Sequence, residues 1–166
     1  MHNIEFEELL GEQLSNVEKT VGIDFENKIF GKIKISYYRN SQYLNIDYYG
    51  IYSNYLTIQT NENDVVESIS IHFRKVITRD FFDSFIQQYG EPNNIQVIEN
   101  RRIIGESFGE GFYQHLKKST FDLREGSFEE NPLYIIWKKD NYQIKAFLRH
   151  KMNISEITFS VPTNEP

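Results

Sequence analysis

Cysteine is absent from the chain of 166 residues, which excludes disulfides, thiolate nucleophiles and thiolate metal sites. Alanine occurs once, at Ala146, and proline only four times. No apolar run approaches the roughly 18–20 residues that a membrane-spanning helix needs. Positive charge is in deficit: 18 Lys and Arg stand against 24 Asp and Glu, for a net charge of −6. That balance argues against a general phosphate-binding surface, so no nucleic acid and no membrane are expected as partners. The first residues, MHNIEFEELLGEQ, lack the cationic start and apolar stretch of a signal peptide, so the expected location is cytoplasmic.

What the chain does have is a hydrophobic fraction of 39% and an aromatic fraction of 15%, enough to build a core and to exclude disorder as the main state. Isoleucine (21) and asparagine (15) are abundant. Their codons, like those of Lys and Tyr, are A/T-rich, which fits a gene from an A/T-rich bacterial genome. Charge is uneven: residues 1–83 carry 8 basic and 13 acidic side chains, residues 84–166 carry 10 and 11. Most such runs mark solvated faces, although an acidic half would also steer a basic partner.

Two segments have helical period. In 11–21, Leu14, Val17 and Val21 fall on one face with Leu10, and Gly22 occupies the position of a left-handed cap. In 78–89, Thr78 is the expected N-cap and Phe81, Phe82, Phe85, Ile86 and Tyr89 form the stripe. Gly90 and Pro92 stop this helix. Elsewhere the period is two: 33–37, 44–48, 56–58 and 69–73 alternate, then 95–104, 133–137, 142–148 and 154–161. The turn Lys139-Asp-Asn141 links two of them. The pattern predicts an α+β fold, an antiparallel meander with helices packed on one face. The inward set would be Ile33, Ile35, Leu44, Ile46, Leu56, Ile58, Ile69, Ile71, Phe73, Trp137, Ile144, Leu148, Ile157 and Phe159. Residues 105–132 are too long for an ordinary connection and hold either a helical turn or another strand; they are the best candidate for a function-bearing excursion.

Val17-Glu-Lys-Thr-Val21-Gly22 and Phe85-Ile-Gln-Gln-Tyr89-Gly90 share a form: a helix ending in Gly, then strands. This divides the chain into helix-then-strands units at 1–76 and 77–166 within one compact domain. The layout, carried by Gly11, Val17, Val21 and Gly22 in one unit and Phe85, Tyr89, Gly90 and Pro92 in the other, resembles the tandem helix–sheet repeats of the β-lactamase inhibitory protein family. It is also similar to the single-unit small lipoproteins of the outer-membrane assembly machine. The resemblance implies a sheet-on-helix scaffold whose free sheet face binds a protein. It carries over no partner and no binding residue, and the exported, often cysteine-containing members of that family differ from this chain in both respects.

Seven of the 11 tyrosines lie between Tyr37 and Tyr55. Tyr38, Tyr43, Tyr49 and Tyr55 fall out of phase with the aliphatic set, together with Asn45, Asp47, Thr57, Gln59, Ser68, Ser70 and His72. Such a face suits recognition, because Tyr offers large contact area at low entropy cost. Tyr is also an ordinary strand residue, and codon bias enriches it without any role in binding.

Catalytic signatures are sparse. His2, His72, His115 and His150 have no i, i+4 pair, so no metal or cofactor is expected. There is no GxSxG elbow. Gly105-Glu-Ser-Phe-Gly-Glu-Gly111 lacks the Lys-Ser/Thr of a phosphate loop, and Glu106 and Glu110 would repel phosphate. Lys138, Lys139, Lys145, Arg149 and Lys151 form a basic cluster near Tyr142 and Phe147. It would suit single-stranded nucleic acid, but the overall charge favours a salt-bridge role against the acidic stretch 125–130. The expected function is therefore a non-enzymatic protein-binding module, inhibitor- or immunity-protein-like. Its partner surface would be Tyr38, Tyr43, Asn45, Asp47, Tyr49, Tyr55 and His72. The alternative is a small-ligand binder or hydrolase with a pocket covered by 105–132, using His115, Glu106 or Glu110.

Overall fold

The computed structural model describes residues 4–22, 24–30, 33–39, 46–108 and 115–162. Two α-helices lie on one side of a mostly antiparallel ten-stranded sheet, an α+β fold. Helix α1 is Leu14–Val21, preceded by a 3₁₀ turn at Phe6–Leu9. Gly22 closes it at φ 73°, in the left-handed region that glycine enters without a Cβ penalty. Helix α2 is Arg79–Tyr89. The Thr78 hydroxyl accepts from the Phe81 amide, so the N-cap forms as its sequence dictates. Gly90 ends α2, and its carbonyl accepts from the Trp137 indole N–H at 2.9 Å, which ties the helix to the sheet.

The strands are β1 (Glu26–Phe30), β2 (Ile33–Arg39), β3 (Ile46–Tyr48), β4 (Ile51–Thr60), β5 (Val66–Phe73), β6 (Asn94–Phe108), β7 (His115–Glu125), β8 (Tyr134–Lys138), β9 (Gln143–Arg149) and β10 (Ile154–Ser160). Their order in the sheet is β1-β2-β4-β5-β10-β9-β8-β6-β7, with β3 on β4. The meander is thus incomplete in the first half: β2 and β3 both pair with β4, along different stretches of it. Tyr49 and Gly50, at φ 50° and 77°, make the two-residue turn from β3 to β4. The last strand, β10, lies between β5 and β9 and joins the halves.

Most of the inward set is where alternation predicted it. Leu56, Ile58, Ile69, Ile71, Phe73, Trp137, Ile144, Leu148, Ile157 and Phe159 are all buried. Against them α2 lays Phe81, Phe82, Phe85 and Tyr89, and α1 lays Leu14 and Val17. The phase of β2 differs from expectation. Ser36 pairs with Ile58 and is fully buried, whereas Ile35 pairs with Gln59 and is half-buried on the other face. A serine tolerates that position because its hydroxyl is hydrogen-bonded to the Asn27 side chain. Leu44 lies outside the described residues. Ile33 and Ile46 are described only by register, against Phe30 and Ser53.

Among the described residues of 105–132, the chain is mostly regular strand. The first part of this stretch completes β6, its middle is β7, and a 3₁₀ turn at Phe128–Glu130 brings the chain back. Strands β6 and β7 form a long two-stranded arm that continues past β8, whose pairing with β6 covers only Asn94 to Gln96.

Two substitutions test this packing. Phe85 is fully buried and its ring meets those of Tyr48, Phe81, Tyr89, Trp137 and Phe159. Phe85→Ala is expected to lower unfolding free energy by about 3–5 kcal/mol in urea titrations. The Tyr48 hydroxyl is buried and has no hydrogen bond of acceptable geometry among the described residues, although the Tyr89 phenol is close enough to perturb it. Tyr48→Phe is therefore expected to leave stability within about 1 kcal/mol of wild type or to raise it.

Candidate functional site

Because both helices cover the same side, the opposite face of the central strands meets solvent. Cross-strand partners share a face, so the register identifies its members. Across β4, β5 and β10 they are Thr57 with Ser70 and Thr158, and Gln59 with Ser68 and Ser160. On β9 and β8, Lys145, Phe147 and Tyr134 continue the surface, and all three are half-buried. A shallow depression of about 350 Å³ runs along these residues.

Two aromatic–cation pairs organise its β8/β9 side. Tyr134 and Phe147 stack with ring centroids 5.1 Å apart. The Lys145 ammonium sits 4.1 Å above the Tyr134 ring and the Arg149 guanidinium 4.6 Å above that of Phe147. Each contact holds a flexible cation in place over a π face.

On the other side lies a polar relay. His72 Nδ1 is 3.1 Å from Glu156 Oε2, and its Nε2 is 2.9 Å from Thr57 Oγ1. The Thr158 hydroxyl donates to Glu156 Oε1, and Ser70 lies 2.7 Å from Thr158. Burial holds the His72 pKa below its ordinary value, against the opposing pull of Glu156 and with Arg149 adding to the depression. A neutral ring fits the geometry: Nδ1–H donates to the carboxylate and Nε2 accepts from threonine.

Hydroxyl, imidazole and carboxylate in series also describe a nucleophile, base and orienting acid. Here the hydroxyl lies in the middle of an interior strand, with Thr57 paired to Tyr37 on one side and Ser70 on the other. The relay links side chains of β4, β5 and β10 across the uncovered face.

The described residues among those predicted to bind a partner do not gather in one place. His72 belongs to the uncovered face; Tyr55 pairs with it in register, but its side chain lies outside the described residues. Asp47 is exposed at the β3–β4 hairpin, where its carboxylate accepts from the Gly50 amide. Tyr38 pairs in register with Leu56, and its side chain lies outside the described residues. Tyr49 does not join them. Tyr49 occupies the left-handed turn, and its ring packs 5.5 Å from both Phe81 and Phe85 on α2. Tyr43 and Asn45 lie outside the described residues. Lys145 and Phe147 belong to the basic, aromatic cluster read from the sequence, whereas Tyr134 and Glu156 on the same face were not singled out there. The signal of this face was present in the alternation of 133–137 and 142–148, where every second residue leaves the core.

The arm extends the same face. Through two register shifts in β6, Ile98 stands opposite Leu123, Arg101 opposite Phe121 and Ile103 opposite Ser119. Ile98, Leu123 and Ile103 are 39%, 37% and 56% exposed, so an apolar stripe emerges on one side of the ribbon. Where the arm meets β9, a groove of about 490 Å³ opens between Ile98, Arg101 and Phe121 on one wall and Phe147, Arg149 and Met152 on the other. Glu106 is exposed and does not line it. The side chain of His115 and all of Glu110 lie outside the described residues. Among the described residues there is no cluster of three His, Asp or Glu able to hold a metal, and no helix long and apolar enough to cross a membrane.

No family model matches the chain, and no curated protein or solved structure was found to match it.

The His72 relay gives a pH signature. A depressed native pKa means that, below about 6.5, the unfolded chain takes up a proton that the folded chain resists. Stability is then greatest above that value and is lost as the pH falls through the interval down to the native pKa. In urea titrations at about pH 7.5 and about pH 5.5, His72→Gln is expected to show a smaller loss of stability than wild type. An identical loss would place the ring's titration elsewhere.

Proposed function

We propose that the chain is a non-enzymatic protein-binding module, inhibitor- or immunity-protein-like, which captures a partner on the uncovered face of its sheet. The observation that carries this reading is the asymmetry of the two faces. One is sealed by aromatic side chains under α1 and α2; the other is open and furnished with ordered aromatic–cation pairs and an apolar stripe on the arm. Exposed apolar side chains aligned on one face mark interaction sites more often than scattered ones do. Stacked aromatics and arginine are the side chains that dominate binding energy at interfaces.

The contact surface in this proposal is centred on Tyr134, Lys145, Phe147 and Glu156, with His72 at one side and Ile98 and Leu123 at the other. It replaces the tyrosine cluster of β2 and β3 as the proposed centre. The proposal retains two helix-then-strands units. Its support is that the last strands of the two halves, β5 and β10, pair at the middle of the sheet. A module of this layout presents one continuous face from two units, as the resemblance to the β-lactamase inhibitory protein family implies.

The test is affinity capture from the source organism, followed by binding of the purified partner to variants. Phe147→Glu and Leu123→Arg change half-exposed positions and are expected to weaken capture at least about tenfold, a loss of roughly 1.4 kcal/mol or more. Lys19→Glu, on the solvent side of α1, is expected to leave it unchanged. Equal capture by all three variants would remove this face as the contact surface.

A further inference from the structure

The groove between the arm and β9 differs in charge from the rest of the molecule. The chain as a whole is acidic, at −6, yet the groove lining contains Arg101, Arg149 and Lys151 and no carboxylate among the described residues. Three arginines elsewhere are neutralised, although the exposed Arg74 has no carboxylate partner among the described residues. Arg79 pairs with Asp83 and Glu129, Arg102 with Asp122 and Arg124 with Glu130. Arg101 and Arg149 have no such partner among the described residues. Arg149 is held instead by the face of Phe147, which orients its guanidinium without neutralising it. The neighbouring His150 is fixed by its Nε2–H to the Pro132 carbonyl at 2.8 Å, which pins the segment that carries Lys151 and Met152.

The walls between these cations are apolar. Ile98 and Phe121 come from the arm, Leu133 and Phe147 from the β8/β9 side, and Met152 stands at the mouth with 63% of its surface exposed. A volume of about 490 Å³ falls in the range of pockets that take small organic ligands. An apolar trough bordered by uncompensated cations has one natural complement, a molecule with an apolar body and a single anionic end.

We propose that this groove is a binding site for a small amphipathic carboxylate. The apolar body lies along Ile98, Phe121 and Phe147, and the carboxylate sits at the rim made by Arg101, Arg149 and Lys151. Guanidinium groups bind carboxylates through paired, charge-assisted hydrogen bonds, which a neutral head group does not reproduce. The groove shares Ile98 and Phe147 with the proposed protein-contact surface, but binding of the carboxylate requires no partner to be present.

The probe is decanoate, titrated below its micellar concentration into the full chain and followed by calorimetry and by amide chemical shifts. The expected result is one-to-one saturation, with shifts concentrated in the arm and in residues 147–152. Decanol and decyltrimethylammonium should bind at least about tenfold more weakly, as should decanoate to the Arg101→Gln/Arg149→Gln double variant. Met152→Glu, at an exposed position, places a carboxylate at the mouth and should weaken decanoate similarly while circular dichroism stays native. Raising the salt concentration should weaken binding further. Absence of decanoate binding would overturn the proposal. So would equal affinity for decanol, or undiminished affinity in folded double and Met152→Glu variants.

Discussion

Everything on the open face depends on how well α2 closes the other one. Phe81, Phe82, Phe85 and Tyr89 occupy a single stripe of that helix, and their rings interlock with Tyr48, Phe73, Trp137 and Phe159 from both halves of the sheet. Phe85 is the hub of that contact. Its packing brings β3 and β10, remote in sequence, under one helix. The helix is fastened at each end: Arg79 pairs with Glu129 near its start, and Lys139 donates to the Tyr89 carbonyl at its end. A sheet so firmly held on one side needs no second layer, and its other side stays open to solvent.

The same closure gathers polar groups at the edge of the core. The Tyr89 phenol donates to Glu7 at 3.0 Å, and Tyr48 and Tyr142 lie close by. Burial raises the pKa of Glu7, while the hydrogen bond from Tyr89 opposes that shift. The Tyr48 and Tyr89 phenols are pushed well above their ordinary range by burial. These groups link the 3₁₀ turn at the start of the chain to α2. They are structural, since they face inward and none belongs to the open surface.

Much of the architecture was legible because hydrophobic period encodes it directly. The stripe and cap of α2, the alternation of β5, and the strands β8, β9 and β10 were all read from residue spacing. The phase of β2 was not, since Ile33-Lys-Ile-Ser-Tyr37 alternates convincingly and only pairing with β4 shows that Ser36 is the buried member. The arm was hidden for a related reason. Its bulges near Ile98 and Ile103 break the two-residue rhythm, so the exposed isoleucines carry no consistent period. Tyrosine density in 37–55 is a poor guide to exposure. Tyr48 and Tyr49 spend their rings on the core, whereas Tyr134 and Phe147, spread thinly in sequence, meet only when β8 and β9 pair.

The position of β10 bears on how the polypeptide is made. As the chain leaves the ribosome, β5 emerges long before the strand that will occupy its free side. Until then Ile69 and Ile71 belong to an unfinished edge, with backbone amides and carbonyls open to any extended segment nearby. Synthesis is thus exposed to a long interval in which neighbouring nascent chains compete for that edge. The final strand ends it by filling the gap between the halves.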